Sequence, residues 1–311
     1  MSPLLQDKIA IVYGAGGGIG GGVARTFARE GAHVFLAGRT REPLDRVAGE
    51  IAAAGGRASV AVVDALDEEA VAAHVEAVAA EAGRVDVSLN VISRGDVHGT
   101  PLVDLRAEDF LAPVLTGLTT NFVTARVAAR QMIAQGTGGV ILTVTSGSSK
   151  GAAPGMGGTG PADAAIEAFL RLLAAETGAH GVRVLGLWTA GVPETFDLEH
   201  DTNATRRATG MRGEDIDRVL GPMTMLGHAP RLDEVADTAA FLASDRASGM
   251  TATIANVTCG LSRPPRGCAG TRRARGTSRG PWRAGNRGPA APGSRSRPTP
   301  RGRARSGARG R

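Results

Sequence analysis

The glycine-rich segment from Tyr13 to Gly20 is where residue types and spacing point most directly to chemistry. It follows an apolar run and precedes a helical pattern, and Gly14, Gly18 and Gly20 have the spacing of a dinucleotide-binding turn. Such glycines allow a tight turn, close approach of the backbone to a pyrophosphate, and close packing of helix on strand. The helix N-terminus adds free N–H groups for the phosphates. The segment, with Ile19, predicts a dinucleotide site, and a merely structural glycine-rich turn is the alternative.

The end of the second predicted strand bears on which dinucleotide is bound. Residues 36–40 read LAGRT, with no carboxylate and one basic residue, Arg39. An acid at this point would bind the ribose 2′-hydroxyl of NAD, whereas an arginine pairs with the 2′-phosphate of NADP. The sequence therefore favours NADP over NAD. The alternative is that Arg39 is a solvated loop charge.

Short apolar runs alternate with longer alanine-rich helical patterns along most of the chain, which is typical of βαβ units and a parallel sheet. Strands are predicted at 8–13, 33–37, 58–63, 85–92, 139–145, 182–188 and 253–257. Helices are predicted at 18–30, 41–54, 67–82, 104–115, 119–135, 162–178 and 232–243, with 192–230 irregular. The prediction is a single α/β domain over residues 1–262, a Rossmann-type doubly wound sheet of about seven strands with helices on both faces.

Residues 263–311 have a different composition, mostly Arg, Gly, Pro, Ala and Ser, and we predict that this tail is disordered. The tail holds 15 arginines and no acid, so residues 1–262 have a net charge of −9 although the whole chain is at +6. The basic balance therefore belongs to the tail and does not make the domain a nucleic-acid binder. Two readings of the tail stay open: an arm that binds RNA or DNA, and a non-native extension.

The two cysteines, Cys259 and Cys268, do not suggest a disulfide framework. No signal peptide and no stretch long enough to span a bilayer is recognisable. We therefore expect a cytoplasmic protein with no membrane association, and no metal site is assigned from the sequence.

Further motifs follow the predicted strands. Asp64 and Ala65 follow the third strand, Asn90 lies in the fourth, and Ser146 ends the fifth. Together with the glycine segment, and over roughly residues 5–260, they give a chain that resembles the short-chain dehydrogenase/reductase family. The resemblance implies that Asp64 contacts the adenine, that Ala65 beside it belongs to the cofactor site, and that Asn90 lies in a cofactor-binding element.

The resemblance also implies an activity. The family transfers hydride between NAD(P)(H) and a carbonyl or alcohol substrate, and it forms homodimers and homotetramers. Ser146 matches the family's catalytic serine, and Asn121 matches an asparagine that joins a proton relay.

The departure from the family falls at the centre of this chemistry. The family's tyrosine and lysine correspond here to Thr159 and Asp163. No shift of the alignment restores the pair, because the only tyrosine is Tyr13 and the only lysines are Lys8 and Lys150. An aliphatic hydroxyl is a far weaker acid than a phenol, and a nearby carboxylate weakens it further.

Other groups could take over parts of the missing pair's work. Asp163 could accept hydrogen bonds from the ribose hydroxyls that the family's lysine contacts. His98 follows the fourth strand and is the best substitute acid on chemical grounds, because imidazole exchanges protons near neutral pH. Lys150 follows Ser146 and could also reach the pocket, although both it and His98 could be ordinary loop residues.

Three hypotheses follow about function. The first is an NADP-dependent oxidoreductase with a degenerate active site, in which Ser146 works with a proton donor other than tyrosine. The second is a catalytically silent NADP-binding partner subunit or redox sensor. The third, based only on residues 263–311, is a nucleic-acid-associated protein.

Overall fold

In a computed structural model of the chain, residues 2–151, 153–196 and 210–261 are described below. They all belong to a compact unit that spans Met1–Cys268. The tail predicted to be disordered, from residue 263, lies outside the described residues.

A seven-stranded parallel sheet is the centre of the unit, as the sequence predicts. Its strand order is β3-β2-β1-β4-β5-β6-β7, so the direction of winding reverses between β1 and β4. Tyr13 and Asn90 are paired at the ends of these two strands. Ligands of doubly wound sheets bind at such a reversal, beyond the carboxyl ends of the strands. The strands are β1 Ile9–Tyr13, β2 His33–Gly38, β3 Arg57–Val62, β4 Val87–Asn90, β5 Gly139–Ser146, β6 Val182–Thr189 and β7 Thr253–Asn256.

The helices cover both faces of the sheet. Those of the described residues are α1 Gly18–Arg29, α2 Arg41–Ala53, α3 Glu68–Ala82, α4 Ala107–Ala134, α5 Thr159–Thr177, α6 Gly213–Leu220 and α7 Leu232–Ala243. Helices α1, α2 and α7 bury their apolar sides in one core, and α3, α4 and α5 bury theirs in a second core on the opposite face. The strands are buried between two layers, which explains their nearly continuous apolar sequence.

Local signals set several helix ends. The Asp67 carboxylate accepts a hydrogen bond from the Ala70 amide at 3.1 Å and caps the start of α3, and Gly83 ends that helix with a φ of +83°. Glu234 accepts a hydrogen bond at 2.8 Å from the backbone N–H of Arg231, the residue before α7. Side chains that satisfy the free amides of a first turn favour helix formation at that point.

The prediction of two helices over 104–115 and 119–135 is wrong. A single helix, α4, runs from Ala107 to Ala134 and contains Pro113. Proline and Gly117 both disfavour a helix interior when they are considered locally. Here the apolar side of the second half, including Val123 and Met132, is buried against the sheet, and this burial keeps the helix continuous.

The segment predicted to be irregular, 192–230, also contains the helix α6, Gly213–Leu220. The Asp215 side chain accepts a hydrogen bond at 3.1 Å from the Arg212 amide at its start. Residues 197–209 of this segment lie outside the described residues. Among the helices that the structure describes, none is long and apolar enough to cross a membrane.

Candidate cofactor and active site

The glycine segment forms the predicted turn between β1 and α1. Gly14 has a φ of +85°, and a Cβ there would lie 2.7 Å from the backbone oxygen of Val91. A Cβ at Gly20 would lie 2.2 Å from the backbone oxygen of Gly14, so the turn closes on the helix without room for a side chain. At Gly18 the nearest atom is the Cβ of Thr195, at 2.7 Å from such a Cβ.

The start of α1 fits an anionic ligand. Its first turn carries no acidic residue. In that turn the half-buried Ile19 packs against the core that α1 shares with α2 and α7. The first N–H groups of a helix have no partner within the helix and attract phosphate. The turn and the helix start therefore suit the pyrophosphate of a dinucleotide.

The predicted ribose and adenine contacts lie at the ends of β2 and β3. Arg39 is exposed directly after β2, and it forms no ion pair with any described residue. Asp64 is exposed after β3, and its Oδ1 accepts a hydrogen bond from the Leu66 amide at 3.0 Å. Ala65, beside it, is buried in the core. The three residues lie at the same edge of the sheet as the glycine turn, because β1, β2 and β3 are parallel neighbours.

Asn90 ends β4 and is buried. Its Nδ2 donates to Thr124 Oγ1 at 3.0 Å, and its Oδ1 accepts from the Ile92 amide at 3.1 Å. The side chain thus holds the first residues after β4 against α4. It shapes the sheet edge next to the glycine turn.

Ser146 and Asp163 come together at the end of β5. Ser146 Oγ donates to Asp163 Oδ2 at 2.5 Å, and the Ser146 amide donates to the same oxygen at 3.2 Å. Ser146 Oγ also lies 2.9 Å from Oγ of Ser148. The hydroxyl of the predicted catalytic serine is therefore directed at a carboxylate within the protein.

Asp163 is fully buried, and its second oxygen is paired with Arg94. Burial raises the pKa of the Asp163 carboxyl, and the Arg94 guanidinium and the hydrogen bonds from Ser146 oppose that shift. Both carboxylate oxygens already accept hydrogen bonds within the protein, and contact between Asp163 and the ribose hydroxyls stays a prediction. The residue acts as a buried anion that holds Ser146 and Arg94.

Arg94 is a central site residue that the sequence did not single out. Its stem packs over α4, where a Cβ at Gly117 would lie 2.5 Å from Arg94 Cδ. Its guanidinium bridges Asp163 and Asp96, the latter at 3.5 Å. The cation beside Ser146 thus comes from the loop after β4 and not from α5, and it is tied to two carboxylates.

Thr159 begins α5 and is buried in contact with two residues of the same loop. Its Oγ1 donates to Asp96 Oδ1 at 2.8 Å and lies 2.9 Å from His98 Nε2. Since the threonine proton goes to the carboxylate, the imidazole must donate through Nε2. The His98 residue as a whole is exposed, so the chain from Asp96 through Thr159 ends at a ring that reaches solvent.

Asn121 does not meet Ser146 through any described hydrogen bond. Its Nδ2 donates to the Gly117 carbonyl at 2.9 Å, and its Oδ1 accepts from Thr143 Oγ1 at 2.6 Å. These contacts fasten α4 to β5. A part in a proton relay stays a prediction for this residue.

Neither Tyr13 nor Lys8 is placed to replace the missing pair in this arrangement. Tyr13 is buried in the core under α3, and burial raises its pKa far above that of a free phenol. Lys8 pairs with Asp245 at 3.0 Å at the opposite end of β1. Lys150 is exposed on the loop after β5.

A second buried carboxylate, that of Glu167, lies one turn beyond Asp163 on α5. It accepts hydrogen bonds from Ser149 Oγ at 2.6 Å and from Trp188 Nε1 at 2.8 Å. The spacing of Thr159, Asp163 and Glu167 puts them on one helix face, and this four-residue period was the signal in the sequence that could have grouped them.

Comparison with known proteins agrees with this fold. A family model described as Enoyl-(Acyl carrier protein) reductase matches residues 14–262. The gluconate 5-dehydrogenase of Gluconobacter oxydans is 30% identical over 83% of this chain and 96% of its own length. The L-rhamnose 1-dehydrogenase (NAD(P)(+)) of Azotobacter vinelandii is 33% identical over 83% of this chain and 98% of its own.

Among solved structures, a short-chain type dehydrogenase/reductase from Mycobacterium marinum superposes with a TM-score of 0.72. It is 27% identical, and the match covers 84% of this chain and 97% of the mycobacterial chain. The chain belongs to the short-chain dehydrogenase/reductase family of oxidoreductases. Members of this family use NAD(P) as cofactor.

Proposed function

We propose that this protein is an NADP-dependent oxidoreductase that acts on a carbonyl or alcohol substrate through a degenerate active site. Family membership supports the hydride transfer, which is the chemistry the nicotinamide supplies when bound. The observation that carries the proposal is the hydrogen-bonded chain Asp96–Thr159–His98, which puts an ionisable ring beside Thr159, the tyrosine-equivalent position.

In this proposal His98 is the proton donor and acceptor. Thr159 accepts a hydrogen bond from His98 Nε2 and donates one to Asp96, so the two residues orient the ring. Within the described part of the chain, Nδ1 of His98 has no hydrogen-bond partner, and it is the nitrogen left to exchange a proton with a substrate oxygen or with water.

The His98→Gln variant tests this role. We expect kcat for NADPH-dependent carbonyl reduction to fall about 100-fold or more, because general acid catalysis is typically worth that much. The dissociation constant for NADPH should be unchanged. Lys150→Gln is the matched control, because Lys150 is the other candidate donor and is exposed on the loop after β5. Equal turnover by the His98 variant and the wild type would contradict the assignment.

A specific observation favours a second function, a silent NADP-binding partner subunit or redox sensor. The hydroxyls of both Ser146 and Thr159 donate to carboxylates of the protein, at 2.5 and 2.8 Å, and not toward an incoming oxygen. In this alternative the site keeps its cofactor but lacks a donor for substrate.

A carbonyl panel with NADPH decides between the two functions. The comparison protein is the triple variant Thr159→Tyr/Asp163→Lys/Arg94→Gln, in which the arginine is removed so that the new lysine does not face it. Turnover by the wild type supports the oxidoreductase. Turnover that is gained only in the triple variant supports the silent subunit.

Arg39 supports the choice of NADP. It is exposed at the end of β2 and has no ion-pair partner among the described residues, so it is free to meet a 2′-phosphate. We expect Arg39→Ala to weaken NADPH binding about 10-fold to 100-fold, because a charge-assisted contact is lost, and to leave NADH binding unchanged. Fluorescence titration measures both constants. The matched control is Arg41→Ala, whose arginine is paired with Asp45 at 2.8 Å, and tighter binding of NADH than NADPH by the wild type would refute the preference.

We also propose that the protein is cytoplasmic and that it forms a homo-oligomer. The second of these proposals is supported by the family, whose members commonly form homo-oligomers. Exposed apolar side chains on α4 and α5, namely Leu115, Phe122 and Leu172, support an interface through these helices. Nucleic-acid binding would depend on residues 263–311, so it stays a hypothesis about the tail alone.

A further inference from the structure

A second cluster of polar side chains lies where the start of α7 meets the segment after β7. His228 precedes α7, Glu234 lies in its first turn, and Cys259 follows β7. One ligand-capable atom from each of the three lies within 4.8 Å of the other two. The fold thus brings an imidazole, a carboxylate and a thiol from different segments to one point.

The separations suit a tetrahedral metal ion. One ligand-capable atom of each residue lies within 4.8 Å of the other two, and His228 Nε2 is 4.0 Å from Glu234 Oε1. Cys259 Sγ lies on the same side of the cluster, 3.7 Å from the other carboxylate oxygen, Glu234 Oε2, and 3.7 Å from the other ring nitrogen, His228 Nδ1. Zinc–ligand bonds of about 2.0–2.3 Å put the ligand atoms of a tetrahedron about 3.4–3.6 Å apart. Small side-chain movements would therefore bring the three groups to coordination distance.

His228 has the orientation of a metal ligand. Its Nδ1 lies 2.9 Å from the carbonyl oxygen of Ala229, which can only accept, so Nδ1 carries a proton. The neutral ring then has its lone pair on Nε2, the nitrogen that faces Glu234. Histidine ligands are commonly held in this way, with the second ring nitrogen donating to a carbonyl.

Glu234 is also fixed before any ion binds. Its Oε2 accepts a hydrogen bond from the backbone amide of Arg231 at 2.8 Å as part of the cap of α7. This contact orients the carboxylate and leaves Oε1 on the side of His228.

Cys259 has an unusual backbone conformation, with a φ of +54°. A side chain in the left-handed region costs about 1 kcal/mol or more, and glycine adopts it freely. The carbonyl of Cys259 accepts hydrogen bonds from the amides of Met225 at 3.0 Å and Leu226 at 3.2 Å, which hold the residue in place. Strained backbone of this kind occurs at ligand-binding sites as well as in turns.

We propose that His228, Glu234 and Cys259 form a zinc(II) site with its fourth position open to water. The mixed nitrogen, oxygen and sulfur donors suit zinc, whereas magnesium and calcium take oxygen ligands. On binding, the Cys259 thiol releases its proton to solvent, and the thiolate and the carboxylate together balance the charge of the ion. The cluster borders an open cavity of about 570 Å³, through which an ion can enter.

The site would fasten α7 to the end of β7 and to the segment before the helix. Helix α7 packs on α1 through Leu232, since a Cβ at Gly22 would lie 2.6 Å from Leu232 Cδ1. Because α1 follows the glycine turn, zinc would stabilise the helix pair behind the phosphate site. This role does not depend on which of the two proposed functions holds.

Metal titration of the full chain, stripped with a chelator, tests the proposal. We expect one zinc ion per chain by calorimetry, and a sulfur-to-metal charge-transfer band with cobalt(II). Cys259→Ser should abolish the band, and His228→Ala and Glu234→Gln should each weaken zinc binding by more than about 100-fold, since even second-shell partners account for 10–100-fold. Cys268→Ser, which removes the only other thiol, should change neither result.

Thermal unfolding separates a lost ligand from a damaged fold. Zinc should raise the Tm of the wild type, and Cys259→Gly should be as stable as the metal-free wild type but unaffected by zinc, because glycine relieves the left-handed backbone. Absence of the cobalt band in the wild type would overturn the proposal. So would unchanged zinc affinity in Cys259→Gly, or a band that depends on Cys268.

Discussion

Replacing Arg94 with methionine is expected to destabilise the protein by about 3–5 kcal/mol at neutral pH, which is typical when one partner of a buried ion pair is removed. Methionine keeps much of the stem that packs over Gly117 but leaves Asp163, which is fully buried, without its cation. Urea unfolding measures the loss. Arg25→Met is the control, because Arg25 and Glu50 form a half-exposed pair at 2.7 Å and such pairs contribute less than about 1 kcal/mol.

The loss should depend on pH in a definite direction. Burial already raises the pKa of Asp163 above its usual 3.8. The carboxyl therefore favours folding most when it is protonated, and its contribution to the free energy of unfolding is lost as the pH rises through the folded-state pKa. Removal of Arg94 deletes the opposing charge and raises this pKa further. The variant should therefore lose most stability at neutral pH and least near the pH at which the unfolded carboxyl titrates.

A second substitution isolates the cause. Adding Asp163→Asn to the Arg94→Met background removes the buried charge, so most of the stability should return and the pH dependence should disappear. If the single variant is as stable as the wild type at neutral pH, the pair with Asp163 does not hold the site together.

The sheet and the glycine turn could be predicted because their signals are local. The glycines of the first turn lie within one short segment, and each strand and helix shows its own periodicity, so the seven strands and the limits of α7 follow from nearby residues. Helix α4 was predicted as two helices because Pro113 and Gly117 act locally, whereas the burial that keeps it whole comes from the tertiary fold.

The ion network at the candidate site could not be predicted because it depends on contacts between distant segments. The loop after β4 contacts the segment that precedes α5 through the Gly99 amide, which donates to the Gly155 carbonyl at 2.8 Å. Nothing periodic in residues 91–106 indicates this approach, so the partners of Asp163 and Thr159 were invisible in the sequence. The sequence identified both residues as departures from the family, and the structure shows what each departure binds.

These contacts bear on the absence of a lysine at position 163. A cation still lies beside Ser146, but it is Arg94, and its charge is shared between Asp163 and Asp96. A positive charge that is neutralised in this way cannot lower the pKa of a neighbouring hydroxyl as a free ammonium would. In the proposed oxidoreductase the proton transfer therefore falls to His98, which the described hydrogen bonds link to this network through Thr159.

Replacing Gly20 with alanine should reduce NADPH affinity by more than about 100-fold, since misplacing the turn by a fraction of an ångström removes its contacts with the pyrophosphate. The new Cβ would lie 2.2 Å from the Gly14 oxygen and 3.1 Å from the Ala15 Cα. Both atoms belong to the backbone, so the turn itself must shift. The protein should also lose about 1–3 kcal/mol of stability, as overpacked sites do.

Gly49→Ala is the matched control for this substitution, because it makes the same chemical change inside α2, where a Cβ would meet nothing within 4 Å. It should raise stability by about 0.5–1 kcal/mol, since alanine is the better helix former, and leave NADPH binding unchanged. NADPH fluorescence and urea unfolding of both variants separate the two effects. Wild-type NADPH affinity in Gly20→Ala would mean that the dinucleotide does not lie on this turn. Loss of affinity in Gly20→Ala but not in Gly49→Ala would tie NADPH binding to the close backbone contact between Gly14 and α1.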